Sequence, residues 1–186
     1  MRIRANSAPG FSLVELLVGI VIVSILATLI TAATRNVMAR SRSTACLANL
    51  RQIGVGLQSY LVDHNGELPA MKAMRASRND DVPVMDTVLA SYTGGTDIFR
   101  CPAERRIWEA SGSSYWWYET VTLKPTGEHN YRSVTLESFF LGTDQPSRIP
   151  LVIDKEAFHP EPRKINALYA DGHSAPLADI NPNATP

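Results

Sequence analysis

The residues able to do acid–base, nucleophilic or metal chemistry in this chain are four histidines, two cysteines and 18 carboxylates. The histidines are His64, His129, His159 and His173. No two of them lie four apart, so no helix can present the paired ligands of a His-Glu-x-x-His zinc site. Neither a Gly-x-Ser-x-Gly elbow nor a glycine-rich phosphate loop occurs. Two cysteines, Cys46 and Cys101, exclude a four-cysteine zinc site and a disulfide-dense scaffold. Asp80-Asp81 reads as a solvated acidic pair in a polar loop. No catalytic residue and no metal site is assigned, and the chain is not read as an enzyme.

One carboxylate stands apart. Glu15 edges a run of uncharged residues, LLVGIVIVSILATLITAAT, that ends before Arg35. An acid beside an apolar span is costly unless paired, so it is a functional candidate by default. As a helix the run is roughly 28 Å long, close to the hydrocarbon core of a bilayer. A buried core helix and a cleaved secretory signal are the alternatives. The sequence after the run, Arg35-Asn-Val-Met-Ala-Arg40, is not a small-residue cleavage site. Arginines flank both sides, so the positive-inside rule gives no orientation.

Beyond the run, Cys46, Leu50, Ile53, Leu57, Tyr60 and Leu61 recur at helical spacing and form one apolar stripe. Arg42, Asn49, Arg51, Gln52 and Gln58 fall on the opposite face. His64-Asn65-Gly66 followed by Pro69 stops the pattern. One helix is therefore expected from about Ser12 to about Asp63.

Residues 66–186 hold many glycine and proline breaks. A short helix is expected near Val82–Tyr92. Strand-like runs are Thr120–Leu123, Val134–Leu141, Ile149–Ile153 and Ala167–Ala170. Asp171-Gly172 then reads as a two-residue hairpin turn leading into His173–Leu177. The aromatic cluster Tyr115-Trp116-Trp117-Tyr118 reads as core or as packing under a loop, with an exposed binding patch as the alternative. The fold class is α+β, with a long N-terminal helix on a small antiparallel sheet.

Eighteen basic and 18 acidic side chains give zero formal charge, which argues against a nucleic-acid partner bound through a basic surface. The balance is uneven along the chain. Residues 35–62 carry four arginines and no acid, whereas residues 63–186 carry an excess of acids.

The order Gly10-Phe11-Ser12-Leu13-Val14-Glu15, after a short basic leader and before the apolar run, resembles type IV prepilins and the pseudopilins of type II secretion. The resemblance implies a leader over 1–10, cleavage between Gly10 and Phe11 by a prepilin peptidase, and N-methylation of Phe11. It implies a membrane helix over 11–35, a helical stalk over 36–65 and a globular head over 66–186. It also implies an inner-membrane, single-pass protein with a cytoplasmic N-terminus and a periplasmic head. Partners would be other pilin-like subunits and an inner-membrane assembly platform, joined in a pilus-like or secretion filament. Glu15, the fifth residue after the cut, would meet the N-terminal amine of a neighbouring subunit. The alternative is a membrane-anchored periplasmic binding module that never polymerises.

More weakly, Cys46-Leu-Ala-Asn-Leu-Arg-Gln-Ile-Gly54, Phe99-Arg-Cys101-Pro and Asn166 to Asp171-Gly172-His173 resemble a pilin-like group of planctomycetes and verrucomicrobia. That group ends in His-x9-Asp-Gly. Here the nearest upstream histidine, His159, sits too far from Asp171 for that spacing. A head outside the cytoplasm would make a Cys46–Cys101 disulfide the expectation, against two buried thiols. No cofactor is expected, with calcium on Asp144, Asp154, Asp171 and Asp179 as the option that related pseudopilins imply, although no EF-hand spacing supports it.

Overall fold

The computed structural model describes residues 12–117, 146–160 and 165–177. The side chains at 30–33 and 35 lie outside the described ones. The expected runs Thr120–Leu123 and Val134–Leu141, with Tyr118 and His129, lie outside the described residues.

Helix α1 runs Leu13–Asp63, as its patterning requires. The chain divides into two compact units, Met1–Met38 and Ala39–Pro186. In the first, every described side chain of α1 from Leu13 to Leu29 is exposed, including Leu13, Leu16, Ile20 and Ile25. Water-exposed aliphatic surface on that scale marks an interaction surface. Among the described residues no helix is long and apolar enough to cross a membrane.

In the second unit α1 carries a stripe of buried side chains: Cys46, Leu50, Ile53, Leu57 and Leu61. Arg42, Arg51, Gln52 and Gln58 are exposed as expected. Asn49 departs from the pattern. It is half-buried, and its side-chain amide donates to the Arg100 carbonyl at 2.8 Å. The helix ends through Asn65 and Gly66, both with positive φ, and the Gly66 N–H returns to the Leu61 carbonyl at 2.7 Å.

The head begins with short helices α2 (Met85–Val88), α3 (Ala90–Thr93) and α4 (Arg106–Ser111). The first two cover most of the single helix expected at Val82–Tyr92. The α4 start is capped from outside the helix. The Glu104 carboxylate accepts the N–H groups of Ile107 and Trp108, and it accepts the Ser114 hydroxyl at 2.6 Å.

Among the described residues four strands, β1 (Tyr115–Trp117), β2 (Pro150–Asp154), β3 (Asn166–Tyr169) and β4 (Ser174–Pro176), form an antiparallel sheet in sequence order. β1 comes from the aromatic cluster. Strand alternation buries Tyr115 and Trp117 and leaves Trp116 half-buried on the other face. The core joins this sheet to the helix stripe through Leu50, Ile53, Leu57, Phe99, Trp117, Val152 and Leu168.

The β3–β4 turn corrects the expected two-residue hairpin. Tyr169 N–H donates to the His173 carbonyl at 2.9 Å, so three residues, Ala170, Asp171 and Gly172, make the loop. A two-residue type I′ turn needs positive φ at both centres. Here Gly172 alone has it, at +87°. Asp171 instead holds the turn through its side chain, whose Oδ1 accepts the His173 N–H at 3.1 Å.

Candidate functional site

At the start of α1, Ser12 and Glu15 form a reciprocal cap. Glu15 Oε2 accepts the Ser12 N–H at 3.0 Å, and Ser12 Oγ accepts the Val14 N–H at 3.4 Å. A carboxylate in the first turn also favours the positive end of the helix dipole. Glu15 is exposed among the aliphatic side chains. Gly10 and Phe11 lie outside the described residues.

In the head, Cys46 and Cys101 are joined by a disulfide, with Cα atoms 5.0 Å apart and 55 residues of sequence separation. The bond ties α1 to the loop after Phe99. Both sulfurs are buried, and His159 Nε2 lies 3.7 Å from Cys101 Sγ. The same Nε2 is 3.1 Å from Asp154 Oδ2, and both side chains are fully buried. Asp154 Oδ2 also accepts the Asn166 N–H at 2.6 Å. Burial pushes the Asp154 carboxyl above its ordinary range, and the His159 and Asn166 bonds offset only part of that. His159 Nδ1 and Asp154 Oδ1 find no partner among the described residues.

Asp171 is on the hairpin, with Oδ1 also at His173 Nδ1, and the His173 ring stacks on Tyr169 at 4.4 Å. Partial burial opposes ionisation there, but the two His173 hydrogen bonds outweigh it and hold the carboxyl below its usual range. Asp154 and Asp171, two of the calcium candidates, thus each have a local partner. Asp144 and Asp179 lie outside the described residues.

A second buried polar group surrounds α4. Arg75 pairs with Asp86, both side chains being under a tenth exposed, and Arg75 Nε donates to the Ser111 carbonyl at 2.7 Å. Burial raises the Asp86 carboxyl, with Arg75 working against the rise. Lys155 Nζ donates to Ser111 Oγ at 2.8 Å, and burial lowers its ammonium to about 8. Arg75, Ile107, Trp116, Lys155 and Glu156 line an open cavity of about 350 Å³.

The comparison with known families bears on the N-terminus. Residues 6–31 match the prokaryotic N-terminal methylation motif. The chain carries a prepilin-type N-terminus. No curated protein and no solved structure matches it. The motif supports a type IV pilin- or pseudopilin-like prepilin, a class of structural subunits processed by a prepilin peptidase and associated with other pilin subunits. It also points to a membrane-anchored protein. In this prepilin-type chain the long helix and small antiparallel sheet have the α+β layout expected of pilins.

Sequence reasoning singled out Glu15, Cys46, Cys101, Asp171 and Gly172. It treated His159 as a stray motif member and Asp154 as one of four calcium candidates. It passed over Arg75, Asp86, Ser111 and Lys155 altogether. None of these sits at a spacing that signals a site, because each pair is closed by strand or loop packing.

Proposed function

We propose that this chain is a structural pilin or pseudopilin subunit. A prepilin peptidase cuts between Gly10 and Phe11, and the new Phe11 amine is methylated. Residues 11–35 hold the subunit in the inner membrane as a single span, with the N-terminus cytoplasmic and the head, residues 66–186, periplasmic. An assembly platform then gathers it with other pilin-like subunits into a filament through α1.

The observation that carries this reading is the methylation motif at residues 6–31 on a helix whose described side chains from Leu13 to Leu29 are all exposed. Exposed aliphatic surface of that length is stable in lipid or against copies of itself, and not in water. Glu15 at the helix start offers a negative charge for a neighbouring subunit's amine. A Cys46–Cys101 disulfide suits a head in an oxidising compartment.

Intact-mass analysis from a host with an active prepilin peptidase tests the processing. The expected product lacks residues 1–10 and carries one methyl on Phe11. Full retention of the leader would overturn it. Filament recovery from cells tests assembly.

A second reading, a membrane-anchored binding module that never polymerises, draws on the cavity beside Arg75, Trp116 and Lys155. It predicts a processed subunit that stays in the membrane fraction and never enters a sheared filament fraction.

A further inference from the structure

We propose that the head carries a binding site for a small aromatic carboxylate, whose anionic end pairs with Lys155 while its ring lies against Trp116. Both residues line the open cavity of about 350 Å³ beside α4, together with Ile107 and Ser111. That volume is at the small end of ligand pockets, so it suits a single-ring compound and not a folded partner. The site lies wholly within the unit Ala39–Pro186, and it therefore stands whether or not the subunit enters a filament. It gives a ligand class to the cavity on which the binding-module reading draws.

Charge complementarity carries the inference. Arg75, Arg106 and Lys155 line the cavity. Arg75 is neutralised by Asp86, and Arg106 meets Glu156 at 3.4 Å on the exposed rim. Lys155 differs. Among the described residues its ammonium has no carboxylate partner, and its one hydrogen bond goes to Ser111 Oγ at 2.8 Å. The Ser111 hydroxyl donates its own proton to the Ile107 carbonyl at 2.8 Å, so it meets Lys155 as a neutral acceptor. Asp86 and Glu104 favour the charged lysine only from beyond hydrogen-bond reach, with Arg75 opposing them. A half-buried ammonium held by a hydroxyl alone is costly, and a carboxylate from solution would offset that cost through a charge-assisted bond.

The fold fixes this arrangement. Lys155 directly follows β2, and its backbone N–H donates to the Ser114 carbonyl at 3.0 Å, just ahead of β1. Trp116 leaves β1 on the face opposite Tyr115 and Trp117, so its ring stays out of the core and walls the cavity instead. Ile107 adds apolar surface from α4. Apolar walls with a few convergent polar groups are the ordinary make-up of a small-molecule site.

The test titrates benzoate into the full chain in a non-ionic detergent by isothermal calorimetry, against a detergent blank. Saturable one-site binding is expected, and benzamide, the neutral analogue, should bind about 10–100-fold more weakly. No saturable heat from folded chain at millimolar benzoate, or equal binding of benzamide, would overturn the proposal. Lys155→Met should weaken benzoate by about the same factor, and unchanged affinity would overturn the role of Lys155. Burial lowers this ammonium to about 8. Benzoate stays ionised from about pH 7 to about pH 9, so its affinity should fall about tenfold over that range as Lys155 loses its proton. Lys155→Arg keeps a charge that does not titrate there and should bind with little change across the range. A pH-independent affinity in the parent, or an equal fall in Lys155→Arg, would count against the ion pair. The benzamide comparison and the pH profile of the parent need no substitution, so they decide the matter even where a variant fails to fold. Failure here leaves processing and assembly untouched, because no arm measures them.

Discussion

The side-chain amide of Asn49 donates to the backbone carbonyl of Arg100 across 2.8 Å, three residues past Cys46 and one before Cys101. The bond lies alongside the disulfide and satisfies a loop carbonyl that no strand reaches. Two unlike links, one covalent and one polar, thus hold the same loop to the same helix. Asn49→Ala should leave that carbonyl short of a partner and lower stability by about 1–3 kcal/mol. Chemical unfolding followed by tryptophan fluorescence reads the change.

The disulfide should weigh more. Its 55-residue separation corresponds to about 4 kcal/mol in the chain-entropy picture. The Cys46→Ser/Cys101→Ser variant, in metal-free buffer, should unfold at a lower denaturant concentration than the oxidised chain. Adding reductant to that variant should then change nothing further. A midpoint equal to that of the oxidised chain would show that the link does not stabilise the fold.

Gly54 and Gly56 weaken α1 as isolated helical residues, yet each lies where α1 is packed most closely. A Cβ at Gly54 would come within 2.9 Å of a Leu168 methyl, and one at Gly56 would collide with the Thr93 methyl and approach the Tyr92 carbonyl. Alanine normally gains about 1 kcal/mol over glycine within a helix. At Gly56 the overpacking should outweigh that gain, for a net loss of about 1–2 kcal/mol. Thermal unfolding of Gly56→Ala that matches or exceeds the parent would refute the close approach.

Arg75 and Asp86 form a buried pair, so removing one partner strands the other. Arg75→Met should cost about 3–5 kcal/mol, and a large part should return in Arg75→Met/Asp86→Leu. Equilibrium unfolding of the two variants reads the coupling. Additive losses would argue that the pair does not act as a unit. Gly112 belongs to the same arrangement. Its φ of +84° suits glycine, and a Cβ there would strike the Arg75 guanidinium.

Lys155 carries the clearest pH signature. Its folded value of about 8 is below the ordinary 10.5 because burial disfavours the ammonium. Between those values the unfolded chain binds more protons, so this group's contribution to stability rises with pH across the window. Below it the charged lysine weighs against the fold. Lys155→Met should therefore be favoured relative to the parent at about pH 7, with the advantage shrinking towards about pH 9. A difference that stays constant with pH would rule out titration of Lys155 as the cause.

Glu15 has two roles that one substitution can separate. Glu15→Gln keeps an oxygen to accept the Ser12 N–H and removes the charge. If charge pairing drives assembly, filament yield should fall with Glu15→Gln nearly as far as with Glu15→Ala, while the helix start stays intact by circular dichroism. Normal yield with Gln would assign Glu15 to capping alone.

Much of this molecule was legible in its linear order. The Gly10–Glu15 order, the apolar run after it and the stripe from Cys46 to Leu61 each depend on neighbours a few residues apart. Local periodicity and the methylation motif are properties of the chain itself, so the long helix and the prepilin-type N-terminus follow from residues alone. The later strands β2, β3 and β4 followed from short apolar runs and turn residues in the same way.

Only the tertiary structure made Asn49 a half-buried donor, turned the Tyr115–Trp117 cluster into a strand, and set His159 and Asp154 beside the Cys46–Cys101 bond. Those groups lie from 5 to more than 100 residues apart along the chain. Their meeting depends on how β1 and β2 pair and on which face of α1 the sheet covers. No spacing encodes such contacts, because they are set by the packing of whole elements, and burial then makes the chemistry of each polar group differ from what its residue type alone implies.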